Sequence, residues 1–360
     1  MRLRIDIRPY RLPLRRPWRS AHGMVSERIG WLVVASAEGI DGFGDCAPLT
    51  EAGTETAANA QRRLDYWSDI GHVQIGVDAV ARLLDALALN KNTATPAADC
   101  ALECALLDLR ARQRGLPLRR LLAADAVDRI AVNAAIGSAA TLTAARITDA
   151  IAQGFRVLKV KVGMSSPDVE LDRIRAAALK LPAGVALRLD ANGAWDRESA
   201  RRFVSGLDGL PIDCLEEPLA VPDDADLAAL QAQASFAIAL DESLSRRPRL
   251  MDAGQDLIGL PVRRLVLKPG VIGGLRPTLR LAKRARAAGL GVVFTGLVES
   301  AAGLWTTAQV AAASGSPLAH GLATADWLAG DLGQAPRPLD GCIELPEGAG
   351  SGFTPAGPRA

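Results

Sequence analysis

The strongest constraint in this chain is a spacing. Five charged residues, Lys161, Asp190, Glu216, Asp241 and Lys268, each close a short apolar run, and successive members stand 29, 26, 25 and 27 residues apart. The last four runs are 185–190 (VALRLD), 212–216 (IDCLE), 236–241 (FAIALD) and 264–268 (RLVLK), separated by helix-length segments at 197–207, 223–234 and 275–288. A strand, loop, helix and loop in a parallel α/β barrel take roughly 30 residues. The predicted fold class is therefore α/β, a modified (β/α)8-type barrel, and the carboxyl ends of its strands converge on one mouth. The run 158–163 (LKVKVG) carries Lys159 as well as Lys161; strand side chains alternate with period two, so both ammonium groups share one face.

With 360 residues, 49% of them hydrophobic, the chain is long enough for such a barrel of about 250 residues and a smaller domain besides. Its net charge of +2, with acids and bases mixed throughout, implies no nucleic-acid partner. The first fourteen residues alternate charged and apolar side chains, and the most apolar region, 290–318, is broken by glycine, serine, proline and Glu299. We therefore expect no signal peptide, no membrane span and a cytoplasmic location. Five cysteines without a CxxC pair are expected to be reduced, packed thiols, Cys100 and Cys104 among them.

Residues 1–126 read as an α+β domain. Strands are expected at 3–10, 29–37 and 42–47, with a turn at 38–42, followed by helices at 54–67, 77–88 and 96–114. Residues 13–28, which hold prolines, Trp18, His22 and Gly23, read as an irregular loop. The barrel is expected over 127–325, beginning with a strand at 130–136 and a helix at 141–153, and continuing to a strand at 291–295 and a helix at 300–313. A closing segment from 326, rich in proline and glycine towards 336–360, is expected to be irregular and to return to the first domain.

Three carboxylates without histidine or cysteine nearby form a hard oxygen set suited to Mg²⁺, with Mn²⁺ as the alternative. Asp190, Glu216 and Asp241 are that set. Glu217 and Glu242, immediately after two of them, are either outer partners or the ligands themselves if the register is one residue off. A divalent ion on a substrate carboxylate stabilises the charge left when a neighbouring C–H loses its proton. A lysine whose pKa is lowered by burial and nearby cations can take that proton; Lys159 and Lys161 on one wall and Lys268 on the other would bracket the intermediate. The three histidines, His22, His72 and His320, lack metal or triad spacing, so zinc hydrolysis and histidine-based triads fit poorly.

The order KxK (159, 161), LDAN (189–192), EEP (216–218), DES (241–243) and LKPG (267–270) resembles the enolase superfamily, muconate-lactonizing-enzyme subgroup. Within it, KPGVIGG (268–274), TGLVES (295–300) and HGLAT (320–324) with Trp327-Leu328 look most like the o-succinylbenzoate synthases. The resemblance implies a (β/α)7β barrel with a capping domain built from the N-terminal region and the C-terminal tail, and a substrate loop at about 13–28. It implies Mg²⁺ and a small carboxylate substrate. The implied reaction is dehydration of 2-succinyl-6-hydroxy-2,4-cyclohexadiene-1-carboxylate, in menaquinone or phylloquinone biosynthesis, through a metal-stabilised enediolate. Lys161 would be the base and then the acid for the leaving hydroxyl, Lys268 would stabilise the enediolate, Lys159 would modulate Lys161, and Asn192 would support the metal. Arg188, Thr295, Gly296 and Glu299 are the further candidate substrate contacts. N-succinylamino acid racemase shares these motifs, and dipeptide epimerase is a less favoured reading because the Asp-x-Asp expected on the last strand is missing. A barrel that only binds a metabolite is the remote alternative.

Overall fold

The computed structural model describes residues 3–20, 23–73, 79–89, 94–247, 250 and 257–357, the side chains of 18–20, 23, 24 and 71–73 excepted. The predicted His22 thus lies outside the described residues.

The N-terminal strands β1 (Arg4–Ser20), β2 (Gly23–Ala37) and β3 (Ile40–Cys46) form an antiparallel sheet in that order. Residues 13–20 and 23–28 are not the irregular loop their composition suggests but the outer half of the paired strands β1 and β2, whose register shifts between Pro13 and Trp18. Proline removes a ladder N–H, a defect that an edge strand tolerates through a bulge. Helices α1 (Ala57–Val73), α2 (Ala79–Leu89), α3 (Pro96–Gln113) and the short α4 (Leu118–Leu122) follow. α3 lies against the backbone of β3: a Cβ on Gly44 would stand 1.9 Å from the Ala101 carbonyl oxygen, and one on Gly42 2.2 Å from the Leu109 nitrogen. Glycine is what lets helix and strand approach this closely.

The expected strand at 130–136 is split. β4 (Arg129–Ala131) pairs antiparallel with β12 (Cys342–Glu344) from the closing segment, and β5 (Ala134–Ser138) enters the barrel. There it is followed by β6 (Val157–Lys161), β7 (Ala186–Asp190), β8 (Ile212–Glu216), β9 (Ala237–Leu240), β10 (Arg264–Leu267) and β11 (Gly291–Phe294), paired in parallel from β5 round to β11. Residues 320–321 close the ring with parallel bridges to Val132 on one side and Thr295 on the other. The helices between strands are α5 (Ala144–Ala152), α6 (Pro167–Ala178), α7 (Arg197–Gly206), α8 (Asp224–Gln233), the one-turn α9 (Pro269–Ile272), α10 (Leu275–Ala287) and α11 (Ala301–Ser314). This is an α/β barrel of the (β/α)7β type.

Strand residues facing the helices, such as Leu158, Val160, Leu187 and Leu189, are fully buried in the main core. Inside the barrel, Cys214, Ala239 and Val266 form a small apolar plug of their own. One pleat above it, the same strands end in the charged residues whose spacing predicted the fold.

The tail returns to the N-terminal region. Phe353 packs edge-on against Phe43 with ring centroids 5.3 Å apart, and its carbonyl accepts from Arg112 at 2.8 Å. Both regions therefore build the cap. Among the described residues no helix is long and apolar enough to cross a membrane, and the cysteines are free, with Cys100 and Cys104 buried and their sulfurs 3.9 Å apart.

Candidate active site

β6, β7, β8, β9 and β10 deliver Lys159, Lys161, Asp190, Glu216, Asp241 and Lys268 to one end of the barrel. The three acids are 3%, 1% and 8% exposed. Lys159 donates to Glu216 and stands 3.0 Å from Asp190 Oδ2. Lys268, on the other side, donates to Asp241. Lys161 Nζ donates to the side-chain oxygen of Asn192 at 2.8 Å, and Asn192 Nδ2 donates to Glu242 Oε1 at 2.9 Å.

Buried charge of both signs at this density shifts the pKa values of the three lysines and of Asp190, Glu216 and Asp241. Burial alone would lower Lys159, but Asp190 and Glu216 outweigh it and hold the ammonium firmly charged. Lys161 goes the other way: burial and then the Lys159 ammonium pull it below the ordinary lysine range, against Asp190. Burial opposes the charge of Asp190 too, but Lys159 and Lys161 keep its carboxyl low. Asp241 is pushed up to about 6 by burial and by its neighbour Glu242, despite Lys268. Burial likewise raises Glu216. Two lysines separated by one residue thus differ in kind, one an ion-pair partner and the other inclined to lose its proton.

Among the described residues no three acid, histidine or cysteine side chains already form a finished metal cage, since ammonium groups stand between the acids. The donor chemistry nevertheless suits a hard cation: three buried carboxylates, two of them raised by burial, gain from positive charge at their centre. Glu217 is not aimed there. It takes a left-handed φ of 42° and accepts from the Asp241 N–H at 2.7 Å and the Ser243 hydroxyl at 3.0 Å, bracing the loop that carries Asp241.

Arg188, expected at the substrate, is 1% exposed and lies one pleat below Asp190. It donates to Asp213 at 2.8 Å and to Asn133 at 3.0 Å, with its Nε 3.8 Å from Glu216 Oε1, so it supports the site from beneath. Thr295, Gly296 and Glu299 border a small cavity beside Lys268 that reaches Cys100 and Asp45 of the cap. Glu299 accepts from the Leu297 N–H and from Thr307 at 3.1 Å. Asp45 escaped the sequence reading: it accepts from Tyr10 at 2.5 Å and from the backbone and hydroxyl of Ser300 at 2.7 Å each, fastening the cap to the start of α11. Its only sequence signal is an acid at the end of an apolar strand, the same signal that marked the barrel residues.

Comparison with known families agrees with this geometry. Residues 4–123 match the mandelate racemase / muconate lactonizing enzyme N-terminal domain, and residues 142–359 match the enolase C-terminal domain-like family. The chain belongs to the enolase superfamily. Among its relatives are the o-succinylbenzoate synthase of Thermobifida fusca, 35% identical over 61% of this chain and 67% of that protein, and the N-succinylamino acid racemase of Thermus thermophilus, 28% identical over 96% and 93%. The solved dipeptide epimerase of Methylococcus capsulatus, complexed with Mg and the dipeptide L-Arg-D-Lys, superposes with a TM-score of 0.86 at 28% identity, covering 98% of this chain and 99% of that one. Superfamily membership supports an enzyme acting on a small molecule, while lyase and isomerase relatives stand at similar distances.

Proposed function

We propose that this enolase-superfamily chain is a Mg²⁺-dependent enzyme that removes the proton α to a substrate carboxylate, and that its reaction is the dehydration that forms o-succinylbenzoate. The observation that carries the proton abstraction is the placement of Lys159 and Lys161 on one face of β6, beside the carboxylates of Asp190 and Glu216 and across the mouth from Lys268; burial and the Lys159 ammonium, which lower the pKa of Lys161, support it. Asp190, Glu216 and Asp241 would hold the cation. Bound there, a divalent ion supplies positive charge against the charge that develops on a carboxylate as its α-proton leaves.

Lys161 takes the proton at Nζ, and the C–H electron pair passes into the carboxylate. The same ammonium returns the proton to the hydroxyl on the adjacent carbon, which leaves as water as the ring becomes aromatic. Lys268, kept charged by Asp241 against its burial, faces the opposite side of the intermediate as a fixed cation. The o-succinylbenzoate synthase relatives and the KPGVIGG and HGLAT segments favour this substrate.

Racemisation of an N-succinylamino acid is the second reading. It is favoured by the placement of Lys161 and Lys268 on different walls, which suits a two-base exchange, and by the racemase and epimerase relatives. Dipeptide epimerisation is less favoured because Ala323 stands in the segment 318–324, which has no acid to hold a substrate ammonium.

The test is direct. With Mg²⁺ and the cyclohexadiene carboxylate, the diene absorbance should fall, and Lys161→Ala should abolish the fall. An unchanged absorbance together with deuterium incorporation into N-succinylamino acids in D₂O would replace the dehydratase with the racemase. Silence in both assays would refute the dehydratase and the N-succinylamino acid racemase readings alike.

A further inference from the structure

Lys159 and Lys268 contact carboxylates, and the contacts of Lys161 include a neutral amide oxygen, Asn192 Oδ1, to which it donates at 2.8 Å. An asparagine side chain has two ends of nearly equal shape and opposite polarity, and only its oxygen can accept from an ammonium. The ammonium itself calls for the oxygen, and a neighbour at the other end must hold the amide in that orientation.

That neighbour is Glu242. Its Oε1 accepts from Asn192 Nδ2 at 2.9 Å, which places the amide nitrogen towards Glu242 and the oxygen towards Lys161. The backbone of Asn192 is fixed as well: it takes a left-handed φ of 45°, and its N–H donates to Asp190 Oδ1 at 3.1 Å. A strained conformation held by several contacts is typical of a positioned functional residue. Glu242 follows β9, so its position is set by the strand that ends at Asp241.

We propose that Glu242 is a positioning residue for Lys161, acting through Asn192, whose amide it orients so that the oxygen fixes the lysine. Lysine has a flexible four-carbon stem, and displacement of a reacting group by about 1 Å can cost a hundredfold in rate. The inference rests on Lys161 being the proton-abstracting group, but its structural half can be read without any substrate.

The test is Glu242→Leu, whose side chain cannot accept from Asn192 Nδ2 and so no longer holds the amide in place. In a crystal structure of this variant, the Asn192 amide should no longer be within hydrogen-bond distance of Lys161 Nζ. In whichever of the two assays the wild type is active, kcat should fall about ten- to a hundredfold with KM little changed. Asn192→Ser should show the same split, and the double variant should be no slower than Asn192→Ser alone, because the two residues act in series. An unmoved Lys161 in the crystal structure, an unchanged kcat, or full additivity in the double variant would each overturn the proposal. Inactivity of the wild type in both assays would refute the functional reading, and the crystal structure would still decide the placement of Lys161. If Glu242→Leu does not fold, Glu242→Ala carries the same structural and kinetic comparison.

Discussion

His320 shows how far burial alone can set a residue's behaviour in this barrel. Fully buried in the closing strand, it accepts from the Phe294 N–H at Nδ1, 3.1 Å away, and burial followed by the nearby Arg188 pushes its pKa from 6.5 down to about 3. Between those two values the unfolded chain binds a proton that the folded chain refuses. The stability His320 confers is thus complete above pH 6.5 and is lost as pH falls towards 3. Each unit of that window costs up to about 1.4 kcal/mol for this one group. Replacing His320 with asparagine, which can accept the same bond, should flatten the fall of the denaturation midpoint across the window; an unchanged pH slope would show that His320 titrates normally. The mouth follows the same physics with opposite outcomes for Lys159 and Lys161, because carboxylates outweigh burial at one and burial prevails at the other.

At the scale of single elements, the seat of α3 on β3 has the sharpest consequence. Gly44→Ala places a methyl 1.9 Å from the Ala101 carbonyl, a clash with backbone that no rotamer can relieve. It should destabilise the chain by about 1–3 kcal/mol, whereas Gly348→Ala, with nothing within 4 Å, should leave the denaturant midpoint unchanged. Equal midpoints for both would contradict the packing. The elements differ in how legible they are. The strands β6 to β10 could be read because each repeats an apolar run that stops at a charged residue, and that pattern picked out the candidate residues that the structure brings to one end of the barrel. The strands at 3–10 and 29–37 were legible, but the outer half of the β1/β2 hairpin was hidden because Pro13, Pro17 and Gly23 are turn formers by composition, and a bulge on an edge strand uses the same residues. The closing strand is too short to produce a period at all. For Arg188, alternation gave the correct face but not the depth, which depends on where the strand ends relative to the mouth.

For the molecule as a whole, the cap and barrel are joined where the site needs them. Asp45 links the cap sheet to the start of α11, Glu103 on α3 receives Arg276 of α10 at 2.6 Å, and the tail closes over Phe43 and Asp108. These joints hold the cap over the mouth, where the proposed reaction requires several strands to contribute to one cation. That shared site is the central claim, and calorimetric titration of the metal-free protein with Mg²⁺ tests it most directly. The wild type should bind one equivalent, and Asp190→Asn, Glu216→Gln and Asp241→Asn should each weaken binding by at least about tenfold, since even partners outside the ligand shell commonly contribute that much. Wild-type affinity in all three variants, or no Mg²⁺ binding by the wild type, would contradict the account.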